Sequence, residues 1–115
     1  MIIKITRDEY DMLFSVERAL LVVTDNRWSS GINKRLIDQF DKSFNNGNIK
    51  AFNVDVNGQN VIKDFNITTV PTIISFENGK EIGRVIDEDT INKLIINTGG
   101  NYYGWNWLQD SFGFM

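Results

Sequence analysis

A continuous apolar run, Ala19–Val23, constrains the fold of this 115-residue chain more than any other segment. The run has the length of a strand, and its uninterrupted apolar character suits a strand that is buried on both faces. Ile32, Leu36 and Phe40 follow at four-residue spacing, which predicts an amphipathic helix from about residue 31 to residue 44. A buried strand followed by an amphipathic helix is typical of α/β proteins.

Further strands and helices are predicted on either side of this pair. Strands are expected at 2–6, 49–56, 72–76 and 80–86, the last two joined by the hairpin turn Asn78-Gly79. Helices are expected after the capping box Thr6–Glu9, within 58–67, and from Asp89 or Thr90 to the stop at Gly99-Gly100. Their inward residues are apolar and recur at helical spacing: Tyr10, Leu13 and Phe14; Val61, Ile62 and Phe65; Ile91, Leu94 and Ile95. The order β-α-β-α-β-α-β-β-α predicts an α/β fold with a central mixed β-sheet flanked by helices on both faces.

The composition excludes several kinds of chemistry. The chain has no cysteine and no histidine, so it lacks thiolate nucleophiles, disulfides and the commonest general base and metal ligand. We therefore expect no metal and no cofactor. The net charge of −3 and the scattered basic residues argue against a nucleic-acid partner. No apolar run is long enough to span a membrane and no signal pattern is visible at residues 1–10, so a cytoplasmic location is expected.

The segment 53–85, with Val70-Pro71-Thr72 before a strand and an F-x-N-G-K hairpin, resembles the thioredoxin family in both residue types and spacing. The resemblance extends over residues 1–98. It implies a thioredoxin-like domain at 1–98 and a cis peptide bond before Pro71. The family does not normally carry an extension like residues 99–115, so the aromatic tail predicted there rests on the composition of this chain alone.

The same resemblance places a degenerate redox loop at residues 28–32. Thioredoxins carry W-C-G-P-C here, whereas this chain keeps Trp28 and has Ser29 and Ile32 at the attacking and resolving cysteine positions, with Ser30 and Gly31 between them. Disulfide exchange needs a thiolate to attack and a second thiol to resolve, and neither serine nor isoleucine can replace them. No catalytic residue is therefore expected in this loop.

Two supporting positions have changed as well. The family's buried acid corresponds to Val23, and the lysine that pairs with the acid corresponds to Ala51. A buried aspartate without a function is costly, and so is a charge that has lost its partner. These losses indicate a redox-inactive, thioredoxin-like binding or accessory module. The abundance of Asn, Ile and Lys is typical of an AT-rich genome, so a phage or bacterial source is expected, with the protein in the host cytoplasm or a virion. The alternatives are a thiol-disulfide oxidoreductase carrying a Cys-to-Ser change at position 29, or an enzyme that uses a hydroxyl or carboxylate group.

Two surfaces are candidates for binding a protein partner. In the resembling family, the backbone before the proline pairs with an extended client peptide, and this strand addition needs no thiol. The groove would be lined by Trp28, Ser29, Thr69, Val70 and Pro71. The second surface is the tail, which holds six of the chain's 14 aromatic residues. It either covers its own domain or anchors a partner or a second copy, through Trp105, Trp107, Leu108, Phe112 and Phe114.

The segment Asn53-x-Asp55-x-Asn57-Gly58, with Asp64 at the twelfth position, half-matches a calcium-binding loop. The first and twelfth residues are not the usual ones, and a strand precedes the segment. We therefore interpret it as a strand end and a helix start.

Overall fold

The computed structural model describes residues 2–27, 32–43, 49–86 and Asp89, and within 32–43 the side chains of residues 34–38 and 41. The described elements, in chain order, are β1 Ile2–Lys4, a 3₁₀ turn Arg7–Glu9, α1 Tyr10–Phe14, β2 Arg18–Thr24, α2 Ile32–Ser43, β3 Lys50–Asp55, α3 Val61–Phe65, β4 Thr72–Glu77 and β5 Lys80–Val85.

The strands form one five-stranded sheet in the order β1-β3-β2-β4-β5. Strands β1, β3 and β2 run parallel, whereas β4 is antiparallel to β2 and β5 is antiparallel to β4. The predicted α/β class with a mixed sheet is confirmed. The apolar run Ala19–Val23 lies in β2, at the centre of the sheet, and all five of its residues are fully buried.

Alternate residues of β2 belong to two different apolar layers. Leu21 and Val23 pack in a cluster with Leu13 of α1 and with Val61 and Phe65 of α3. The intervening residues face the other side of the sheet, where α2 contacts β1 and β3. The sheet is therefore covered by helices on both faces.

Two residues predicted to point inward are instead exposed. Ile62 is 55% exposed and Phe14 is 40% exposed. Helix α3 has only five residues, so Val61 and Phe65, one turn apart, occupy the buried side and Ile62 lies about 100° away from Val61. Phe14 lies at the margin of the cluster, where its ring makes an edge contact with Phe76 at a centroid distance of 5.6 Å.

The predicted capping box and hairpin turn are both present. The Glu9 carboxylate accepts hydrogen bonds from the Thr6 N–H at 2.9 Å and from the Thr6 hydroxyl at 3.0 Å. In the hairpin, Asn78 and Gly79 have φ values of 52° and 81°, as a type I′ turn requires. A Cβ atom at Gly79 would lie 3.1 Å from the Phe14 carbonyl oxygen, so glycine is also favoured by space.

Some predictions concern residues outside the described ranges. The last helix, apart from Asp89, the boundary at 98/99 and the aromatic tail all belong to this group and stay predictions. None of the helices in the described ranges is long and apolar enough to cross a membrane.

Candidate functional site

Loops converge where β2 and β3 end and β4 begins, and one of them contains Pro71. The Val70–Pro71 peptide bond is cis, the geometry that the resemblance implies. Pro71 is buried, whereas Thr69 is exposed and Val70 is 37% exposed. The Thr72 hydroxyl donates a hydrogen bond to the Thr69 carbonyl oxygen at 2.6 Å, which ties the loop to the first residue of β4.

The main chain of Val70 is available for pairing. Across the described ranges, no hydrogen bond involves the N–H or the C=O group of Val70. A main chain with unused donors and acceptors at a strand end can take an added extended peptide.

A groove of about 250 Å³ lies beside this loop; we call it the proline groove. Its walls come from the loops that follow β2 and β3 and from α3 and the segment after it. Ile62 and Val70 give it two exposed aliphatic side chains, and Arg27 gives it a cation. The lining residues are Arg27, Val56, Asn57, Ile62, Ile67, Thr68, Thr69 and Val70.

The Asp25 carboxylate holds two residues that line the groove, Arg27 and Asn57. The Arg27 guanidinium donates to both carboxylate oxygens of Asp25, from Nε at 3.0 Å and from a terminal nitrogen at 2.8 Å. The Asn57 amide donates to the same carboxylate at 2.7 Å. The side-chain hydrogen bond from Arg27 lowers the pKa of Asp25 most and the bond from Asn57 adds to it, outweighing the opposing effect of burial. The carboxylate therefore stays ionised and engaged, which makes it a poor general base.

A second set of polar side chains forms a closed hydrogen-bond network between the ends of β2 and β3. The Asn53 amide nitrogen donates to the Val22 carbonyl oxygen at 2.8 Å and to the Thr24 hydroxyl oxygen at 2.9 Å. The Thr24 hydroxyl donates to the Asn26 side-chain oxygen, and the Asn26 amide donates back to Asn53 at 3.3 Å. Asn53 is only 1% exposed, so these bonds satisfy a buried amide and hold the two strand ends together.

The half-match to a calcium loop is a strand end and a helix start, as interpreted from the sequence. Asp55 is the last residue of β3, and it accepts the Asn57 N–H at 3.0 Å in a local turn. Asp64 lies in α3 and forms an ion pair with Arg7 at 2.9 Å. No cluster of three or more potential metal-binding side chains occurs within the described part of the chain.

Val23 and Ala51 do not face each other. Val23 pairs with Val54, and Ala51 pairs with Leu20, three residues earlier on β2. Because side chains alternate along a strand, Val23 and Ala51 lie on opposite faces of the sheet. Both are fully buried. Each substitution therefore suits its own apolar layer, and the interpretation of the two as one lost ion pair is not supported by this register.

The structure describes only part of the predicted site. Thr69, Val70 and Pro71 lie together at the groove. Trp28, Ser29, Ser30 and Gly31 lie outside the described residues, as do Trp105, Trp107, Phe112 and Phe114. Ile32 begins α2, although its side chain is not described.

Sequence reasoning missed several lining residues. The Asp25-x-Arg27 pair was detectable, because polar residues directly after a buried parallel strand often lie at a site. Ile62 was misassigned to the core, since a five-residue helix gives too little periodicity to separate its faces.

Comparisons with known proteins give a structural likeness only. No protein-family model matches the chain, and no curated protein matches it. Among solved structures, a thioredoxin mutant from Halobacterium salinarum has a TM-score of 0.66 at 19% identity, covering 88% of this chain and 93% of that one. A Plasmodium falciparum thioredoxin has a TM-score of 0.64 at 22% identity, covering 83% and 97%. Mitochondrial thioredoxin 3 from Saccharomyces cerevisiae has a TM-score of 0.65 at 20% identity, covering 84% and 94%.

These similarities span most of both chains, and the strand order, the helical layers and the cis proline are described above. The chain therefore has the thioredoxin fold, without any cysteine.

Proposed function

We propose that this chain is a redox-inactive protein of the thioredoxin fold that binds a protein partner through the proline groove and serves as an accessory module. The observation that carries the proposal is the main chain of Val70, which makes no hydrogen bond within the described ranges, beside the exposed aliphatic side chains of Ile62 and Val70. An extended peptide can add to this backbone and place an apolar side chain against Ile62 and Val70.

The chemistry of the neighbouring side chains supports binding over catalysis. Disulfide exchange requires thiols, and the chain has none. The nearest buried acid, Asp25, already accepts hydrogen bonds from Arg27 and Asn57. What the groove offers a partner is apolar surface, main-chain hydrogen bonds and the outer part of one guanidinium.

The test compares partner capture by three versions of the full chain: wild type, Ile62→Asp and Met12→Asp. Met12 is the matched control, because it is an exposed apolar residue of α1, 42% accessible, that does not line the groove. Lysate proteins retained by each version are quantified by mass spectrometry. We expect Ile62→Asp to lose partners that Met12→Asp keeps. Equal capture by all three versions would contradict groove binding.

The redox part of the proposal has its own assay. We expect no insulin reduction by the wild-type chain, and none by Ser29→Cys, because Ile32 cannot resolve a mixed disulfide. The double substitution Ser29→Cys with Ile32→Cys restores a dithiol and serves as the positive control. Turnover by the wild-type chain would refute the assignment.

A further inference from the structure

We propose that, when no partner is bound, the chain's own C-terminal segment, residues 101–115, occupies the proline groove. This proposal rests on the proposed function, in which the groove is a binding site, and adds that the tail fills the groove in the free protein. A partner would then have to displace a tethered competitor, so the tail would regulate access to the site.

The proline groove contains exposed aliphatic side chains. Ile62 and Val70 are two of the large hydrophobic side chains left exposed in the described part of the chain, and both line the same groove. Exposed aliphatic side chains that are grouped in a concave surface favour a covering group. The tail supplies suitable groups, since Trp105, Trp107 and Leu108 follow closely on one another.

The tail and the groove carry side chains of opposite charge. Asp110 is the only side chain in 101–115 that is charged at neutral pH. Arg27 is the cation of the groove, and its side chain is 70% exposed although it pairs with Asp25. Asp25 takes only part of the donor capacity of the guanidinium, so N–H groups remain for a second carboxylate. A tail with apolar rings followed by one acid matches a groove with aliphatic walls and one cation.

The direction of β5 brings the chain back towards the groove. Strand β5 is antiparallel to β4, and Val85 pairs with Ile73 near the start of β4. The chain therefore leaves the sheet at the end where the Val70–Pro71 loop lies. The predicted last helix, 89–98, advances by about 15 Å. The following residues, 99–105, can span about 23 Å when extended, which is enough to return.

Tethering makes even a weak contact effective. A segment joined to its site by a short linker is present at an effective concentration in the millimolar range. The tail can therefore keep the groove covered while still yielding to a partner with better contacts.

The experiment places a spin label in the tail of the full chain. Because the chain has no cysteine, Gln109→Cys gives a single attachment site for a nitroxide. Amide peak intensities in ¹⁵N-labelled protein are compared before and after the nitroxide is reduced. We expect the largest loss of intensity at the Ile62, Thr69 and Val70 amides and a smaller loss at Met12.

The controls distinguish binding of the chain's own tail from binding of the tail of a second copy. The same labelled chain carrying Val70→Asp or Ile62→Asp should lose the groove effect, whereas Met12→Asp should keep it; amide spectra establish that each variant is folded. A mixture of spin-labelled ¹⁴N chains with unlabelled ¹⁵N chains should show no groove effect. An effect in that mixture would instead assign the groove to the tail of a second copy and overturn the intramolecular proposal.

Failure of this inference is distinguishable from failure of the proposed function. Unperturbed groove amides in the labelled chain, or losses confined to another surface, would overturn the tail proposal. Partner capture that depends on Ile62 would then still support the groove as a binding site.

Discussion

Placing an acid at position 23 tests how the buried layer around Val23 treats a charge. Val23 is fully buried in the cluster shared with α1 and α3, and its cross-strand neighbour on β4 is Thr72. The Thr72 hydroxyl already donates its hydrogen to the Thr69 carbonyl oxygen. It can accept a hydrogen bond from a protonated carboxyl group but cannot donate one to a carboxylate. We therefore expect the substitution Val23→Asp to introduce an acid with a raised pKa.

The size of the effect follows from burial. A fully buried carboxyl group has its pKa raised by up to about 3–5 units, and each unit corresponds to about 1.36 kcal/mol. The pH-dependent loss of stability could thus reach about 4–7 kcal/mol, comparable with the roughly 5–15 kcal/mol that stabilises a typical domain. Because the folded-state pKa is raised, the loss is absent below the ordinary pKa of about 3.9 and grows as pH rises toward the folded-state value.

The assay measures the free energy of unfolding in urea from about pH 4 to about pH 8, with Val23→Asn as the matched control. Asparagine has the same shape and also loses the methyl groups of valine, but it does not titrate. We expect the two variants to have similar stability near pH 4 and the aspartate variant to be far less stable near pH 8. Equal stability at both ends would refute the reasoning, because it would mean that the carboxylate finds a partner in this layer.

Three further predictions concern charged groups and the hairpin. The phenol of Tyr10 should titrate near pH 12, because burial, followed by the charge and hydrogen bond of Asp64, raises its pKa to about 12. Its contribution to the stability of the fold is complete below pH 10.0 and is lost as pH rises through about 12. Absorbance of the tyrosinate at alkaline pH, compared with Tyr10→Phe, measures this pKa. Gly79→Ala should cost roughly 1–2 kcal/mol, because alanine is disfavoured at a φ of 81°; an unchanged melting temperature would contradict this. Asp25→Asn should lower the free energy of unfolding at neutral pH, because the hydrogen bond from Arg27 stabilises the ionised carboxylate. The difference from wild type should shrink as pH falls below 3.8 toward the lower folded-state pKa. A difference that does not change with pH would argue against the ion pair.

The sequence predicted the individual strands well because the signals for them were strong and local. The apolar run Ala19–Val23 favoured a strand buried on both faces, and Asn78-Gly79 indicated a tight hairpin turn. The pairing of β1 with β3 and the position of β2 at the centre were not predicted, since parallel partners are distant in sequence. Ile62 was wrongly predicted to be buried, because a helix of five residues is too short to show which of its faces is apolar.

The site was less predictable than the fold for a physical reason. Asp25, Arg27 and Asn57 come from two loops, and their hydrogen bonds depend on strand ends that the register brings together. Thr69 and Val70 were found through the proline beside them. The separation of Val23 and Ala51 onto opposite faces could be deduced only from the observed register.

The polar side chains beside the groove are hydrogen-bonded to one another, and this leaves the aliphatic side chains as the main surface for the proposed binding. Asn53, Thr24 and Asn26 form a closed set of hydrogen bonds, and the Asp25 carboxylate is shared between Arg27 and Asn57. Side chains committed in this way hold the loops that carry Val56 and Asn57 in place, but they have little capacity left to move protons. The groups still available are the Val70 main chain, the aliphatic faces beside it and the outer part of Arg27. The proposed peptide binding would use these groups, so the hydrogen bonds that occupy the polar side chains also hold the groove in shape.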